Sequence, residues 1–87
     1  EANGKQNYAE HKEQQKKIRK AERAVKETEE KVARLEIRKT ELDKLLAKPD
    51  NAANMDLIAE YTDIMQQLDK ENERWMVLSE ELEKIQE

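Results

Sequence analysis

Cysteine and phenylalanine are both absent from this 87-residue chain, and it holds one glycine, one proline, one tryptophan and one histidine. Without a thiol there is no disulfide staple, zinc ribbon, thiolate nucleophile or cysteine-hooked metal dimer. With one glycine there is no phosphate-cradling loop or nucleophile elbow, and no HExxH or calcium-loop pattern occurs. No apolar run approaches the roughly 20 residues that span a bilayer, and the N-terminal stretch lacks the apolar region of a signal peptide. The expectation is a soluble, cytoplasmic chain with no membrane contact. At this length it makes one small, well-solvated domain without a deep substrate pocket, and Glu1 in place of a leading Met suggests a piece of a longer protein.

What the chain has in plenty is charge. Charged residues make up 44% and hydrophobic residues 36%, the composition of long solvated helices. Disorder also favours high charge, but here the apolar residues recur with a period, as those of disordered tails do not. The net charge of -4 conceals an asymmetry. From Lys12 to Lys48 there are 13 Lys/Arg against 8 Asp/Glu, a balance of +5; from Asn51 to Glu87 there are 3 against 10, a balance of -7. The two halves should attract each other.

Residues 1–6 carry Asn3 and Gly4 and no apolar periodicity, and read as the flexible end of a linker. A first helix is expected over about 8–48, with Asn7 as N-cap and Glu10 reaching back to it in a capping box. Its seam is Ile18, Ala21, Val25, Thr28, Val32, Leu35, Lys39, Leu42 and Leu46, spaced alternately by three and four as in the a and d positions of a heptad. Pro49 stops this helix, because it disfavours helical geometry at Lys48 and has no N–H to donate. A turn over about 49–53 leads to a second helix over about 54–86, capped by Asn54 (Asn51 being the alternative) and carrying Asp56 in its first turn. Its seam is Leu57, Tyr61, Ile64, Leu68, Glu71, Trp75, Leu78, Leu82 and Ile85.

So short a connection favours an antiparallel hairpin over 7–87, an all-α, two-helix antiparallel coiled coil. Setting Leu46 against Leu57 pairs Leu42 with Tyr61, Lys39 with Ile64, Leu35 with Leu68, Val32 with Glu71, Thr28 with Trp75, Val25 with Leu78, Ala21 with Leu82 and Ile18 with Ile85. Every layer then joins an a to a d, and small residues face large ones at two of them. Lys31 and Arg74 flank the seam on one side, an unfavourable pairing softened by solvent. Within the helices Glu13 and Lys17, Glu22 and Lys26, Glu27 and Lys31, Glu30 and Arg34, and Glu80 and Lys84 are favourable i,i+4 pairs. The expected rod is about 50 Å long at 1.5 Å per residue.

No residue pattern points to catalysis, and neither a catalytic residue, a cofactor nor a metal is expected in this chain. His11 falls at an a position beyond the last good layer and reads as a solvated side chain. The acidic neighbours Glu29-Glu30 and Glu80-Glu81 point about 100° apart on a helix and cannot converge on one ion. Lys39 and Glu71 at core positions read as devices of register, Lys39 snorkelling to water and Glu71 leaning out. Trp75 and Tyr61 read as core rather than stacking platforms. The outer face of the first helix is more suggestive: Lys12, Lys16, Arg19, Lys20, Arg23 and Lys26 occupy b, c and f positions and form one basic stripe. Such a stripe follows phosphates and releases their counterions, with little sequence choice. Exposed Ile37 and Val77, at f and c positions, support the alternative of a structural module docking on a partner helix.

The order of motifs is itself informative. Asn7-Tyr-x-Glu-x-Lys-Glu-Gln14, then Lys31-Val-Ala-Arg-Leu-Glu36, Leu45-Leu-Ala-Lys-Pro-Asp50 and Glu73-Arg-Trp-Met-Val-Leu-Ser-Glu-Glu-Leu-Glu83 together resemble the C-terminal domain of Uup-type ABC-F ATPases over nearly the whole chain. The Arg-Trp pair and the Leu-x-x-Pro-Asp turn are the specific parts. The Asn-Ala-Ala-Asn that follows departs from the longer acidic or aromatic turn of that family. The resemblance implies a parent with two ATP-binding cassettes, using ATP and magnesium, with this hairpin behind the second. It implies action on the ribosome or on DNA, so that the stripe would meet DNA or ribosomal RNA while the hairpin stays close to the parent ATPase domains in cis. The hairpin by itself is expected to be monomeric and not an enzyme.

Overall fold

Two long runs of good helix formers separated by a proline have one economical way to bury their apolar stripes, which is against each other. A computed structural model, which describes residues 2–86, shows this arrangement: α1 spans Ala2–Leu46, a single 3-10 turn covers Pro49–Asn51, and α2 spans Met55–Gln86. The fold is an all-α, two-helix antiparallel hairpin. Lys48, before the proline, is extended at φ -77 and ψ 131, as ring sterics demand. The turn is held by its own backbone: the Asn51 N–H donates to Lys48 O and the Asn54 N–H to Asn51 O, each at 3.0 Å. Asn54 then caps α2, its Oδ1 accepting from the N–H groups of Asp56 at 3.1 Å and Leu57 at 3.2 Å.

The seam follows the heptads. From Ile18 to Leu46 and from Leu57 to Ile85, every a and d residue is buried or half-buried except Trp75. Leu42, Ile64 and Leu68 form the buried centre, with Val32, Leu35, Leu45, Leu57 and Tyr61 packed against them. Each full burial of this kind is worth about 1.5–3 kcal/mol relative to exposure. The centre lies in the half of the seam nearer the turn. Lys39 does snorkel: its Nζ passes 5.9 Å from the Tyr61 ring centroid and ends 3.6 Å from Asp43.

Several expectations need correction. α1 begins at Ala2, so the backbone over 2–6 is helical where a flexible linker was expected, and Glu1 lies outside the described residues. Asn7 therefore stands inside the helix and caps nothing; one glycine costs about 1 kcal/mol in a helix, too little to stop propagation once a turn exists. The last regular residue of α1 is Leu46 rather than Lys48. The molecule measures 75 × 16 × 15 Å, longer than expected, because α1 has 45 residues and α2 has 32. α1 therefore projects past the end of α2, where the Gln14 side chain donates to the Ile85 carbonyl.

The polar seam residues also differ. Glu71 does not lean out: it is 9% exposed and its Oε1 lies 2.9 Å from Lys31 Nζ, which removes the conflict expected between Lys31 and Arg74. Trp75 is 37% exposed rather than buried, its indole at a notch shared with Glu29, Val32 and Asn72. The five i,i+4 pairs expected within the helices do not close within 4.0 Å among the described residues, and Glu13 meets Lys16 instead. Solvated pairs of that kind are worth only about 0.2–0.5 kcal/mol, so rotamer entropy competes evenly with them.

Candidate nucleic-acid interface

A helix turns 100° per residue, so the b, c and f positions of a heptad share its outer face. Lys12, Lys16, Arg19, Lys20, Arg23 and Lys26 fall within an arc of about 120° and a rise of about 21 Å along α1. All six side chains are exposed, and none is turned into the seam. Among the described residues only Lys16 joins an ion pair, with Glu13 at 3.9 Å. The stripe is thus a straight row of solvated cations bordered by exposed Glu13, Glu27 and Glu30. Its first members, Lys12 and Lys16, stand on the part of α1 at or beyond the end of α2, so no second helix crowds them.

The row continues further than the sequence pattern suggested. Arg34 is exposed and follows Lys20 by two heptads and Arg23 by eleven residues, spacings that return to one face. It lines a notch of 330 Å³ with Lys31, Glu71, Arg74, Glu27 and Glu30. The glutamates at 27 and 30 interrupt the row before Arg34, which is why the run of cations reads as ending at Lys26.

Arg38, the next arginine, is committed elsewhere. Its Nε and Nη2 donate to the two carboxylate oxygens of Glu60 at 2.7 and 2.8 Å, and Nη1 donates to Glu41 at 2.9 Å. The forked bond to Glu60, and after it the bond to Glu41, raises the guanidinium pKa above its ordinary value. The fork from Arg38 in turn holds the Glu60 carboxyl below its usual range. Arg38 is a clasp between α1 and α2, not a free cation for a ligand.

His11 is exposed. No group of three or more His, Cys, Asp or Glu residues placed to hold a metal occurs among the described residues, and no helix among them is long and apolar enough to cross a membrane. Fold and surface together define an antiparallel helical hairpin with one cationic outer face. No protein-family model matches the chain, and no match is found among curated proteins or among solved structures.

Proposed function

We propose that this chain is the nucleic-acid-binding coiled-coil module of an ABC-F ATPase, holding DNA or ribosomal RNA by phosphates laid along the outer face of α1. The observation that carries the reading is the row of six exposed cations, from Lys12 to Lys26, on one straight face. Phosphate contacts of this kind position a duplex without reading its bases. If each cation neutralises one phosphate of B-DNA, affinity falls with salt at a log–log slope of about -5. The chain itself does no chemistry in this reading. ATP and magnesium belong to the cassettes of the parent that the sequence resemblance implies, and the hairpin would carry nucleic acid beside them.

The test is a filter-binding titration over several salt concentrations, with DNA and RNA duplexes side by side. Changing Lys16, Arg19, Lys20 and Arg23 together to Glu is expected to abolish retention while helicity and melting stay nearly unchanged, since all four are exposed. Equal binding by the variant at matched salt overturns the reading. A second reading, a protein-contact module, is supported by Ile37 at 63% and Val77 at 55% exposure. A sedimenting dimer indifferent to polyphosphate would favour it.

A further inference from the structure

The two edges of the helix seam are unlike. On one edge Lys31 meets Glu71 at 2.9 Å and Arg38 meets Glu60 at 2.7 Å, so ion pairs bridge the helices. On the other edge α1 presents Glu22, Glu29, Glu36 and Asp43 at successive heptads, all exposed. Facing them from α2 in the same heptad position are Ile58, Met65, Asn72 and Ser79, none of them a cation. Among the described residues no ion pair crosses the seam on this edge.

The unbridged edge also carries apolar surface, beside the exposed Ile37 and Val77 elsewhere on the hairpin. Met65 and Trp75 are each 37% exposed and Met76 is 58% exposed. Two notches open into the seam there. One, of 270 Å³, is lined by Glu29, Val32, Asn72 and Trp75. The next, of 370 Å³, has Glu36, Met65, Leu68 and Asp69 among its walls and shares Asn72 with the first. Its one cation, Lys39, is already held by Asp43 at 3.6 Å. The result is a trough along the hairpin with an acidic rim, its floor apolar at Val32 and Trp75 and mixed further on, where Met65 and Leu68 stand beside Thr40 and Asn72.

We infer that this trough seats a third helix, a basic amphipathic segment of a protein partner, with apolar side chains in the two notches and Lys or Arg opposite Glu29, Glu36 and Asp69. The spacing fits, since Glu29 and Glu36 stand one heptad apart, about 10.5 Å along the axis, which is the i to i+7 repeat of an incoming helix. The charge fits as well, because Glu29, Glu36 and Asp69 have no ion-pair partner among the described residues. Flexible methionines adapt to an incoming apolar face. The basic stripe of a second copy would satisfy the rim but not the floor, because its b, c and f positions from Lys12 to Lys26 hold no large apolar residue. Nucleic acid would be repelled by the rim. The trough therefore serves a partner separate from the one on the outer face of α1.

Trp75, the only tryptophan, reports on this trough. The probe is a synthetic helix with Leu at a and d and Lys at e and g, added to the full chain. Its comparators are the same peptide with Ser for Leu and the same peptide with Glu for Lys. The Leu/Lys helix is expected to bind and shift Trp75 emission to the blue, the Ser peptide to leave emission unchanged, and the Glu peptide not to bind. Glu29→Gln, Glu36→Gln and Asp69→Asn together should weaken binding about tenfold, while Glu30→Gln, Glu80→Gln and Glu81→Gln, matched in charge, should change it by about twofold or less. Equal losses in the two sets, unmoved Trp75 emission, or a blue shift that grows with concentration in the chain alone as it sediments as a dimer would overturn the proposal. DNA retention by the Glu29, Glu36 and Asp69 variant should match the parent, so failure here is separable from failure of the stripe.

Discussion

Glu71 is a charged residue in the seam, and its environment sets up a sharp contrast between two substitutions. Its side chain is 12% exposed and Lys31, its one ion-pair partner among the described residues, is 49% exposed. Replacing Lys31 with Met leaves the carboxylate desolvated and unpaired. Breaking a fully buried pair in this way costs about 3–5 kcal/mol, but the half-solvated lysine already loses much of its attraction to water, so about 1–2 kcal/mol is expected here. Replacing Glu71 with Leu removes the desolvated carboxylate, frees Lys31 to solvent and restores an apolar d residue. That change should be neutral or stabilising by about 1 kcal/mol, and the double variant should match it. Thermal unfolding followed by far-ultraviolet circular dichroism reads the difference. At about 4–8 °C per kcal/mol for a domain of this size, Lys31→Met should lower Tm by about 5–15 °C, whereas Glu71→Leu should hold or raise it. If Lys31→Met melts like the parent, or Glu71→Leu loses as much as Lys31→Met, the reasoning about a desolvated seam carboxylate is wrong.

Asn54→Ala removes the acceptor of two N–H groups and should cost about 1 kcal/mol, whereas Asn7→Ala, inside α1, should hold or slightly raise stability in the same melt. The Arg38–Glu60 clasp has a pH signature. Because the folded carboxyl of Glu60 is held below its usual range, the clasp contributes stability above the ordinary carboxylate pKa and loses it as pH falls through the folded value. Glu60→Gln should therefore melt below the parent at neutral pH and converge with it in acid, and a constant gap across that range would refute the linkage.

The legibility of this chain differs from residue to residue. The break at Pro49 and the burial of Leu42, Ile64 and Leu68 follow from periodicity and from the stereochemistry of one ring, whereas the choice of Asn54 over Asn51 as the cap came from the structure. The start of α1 was not legible, because Asn7 is a good cap only when the backbone before it is not helical, and nothing local enforces that. The solvated face from Lys12 to Lys26 was legible as a face for the same reason as the seam, since helical spacing assigns both at once. Arg34 was missed because Glu27 and Glu30 break the run of cations, although its two-heptad spacing from Lys20 carried the signal.

The alternation of threes and fours, with Pro49 and the short connection after it, was enough to determine two helices, one reversal, an apolar contact and a cationic outer side, because these depend only on helix pitch, one ring and the sequence order. Only the tertiary structure decided how side chains at the contact share space. Which lysine reaches Glu71, which way the Trp75 indole turns, and which edge of the seam is bridged while the other stays open all depend on distances between helices, and pitch alone does not encode them.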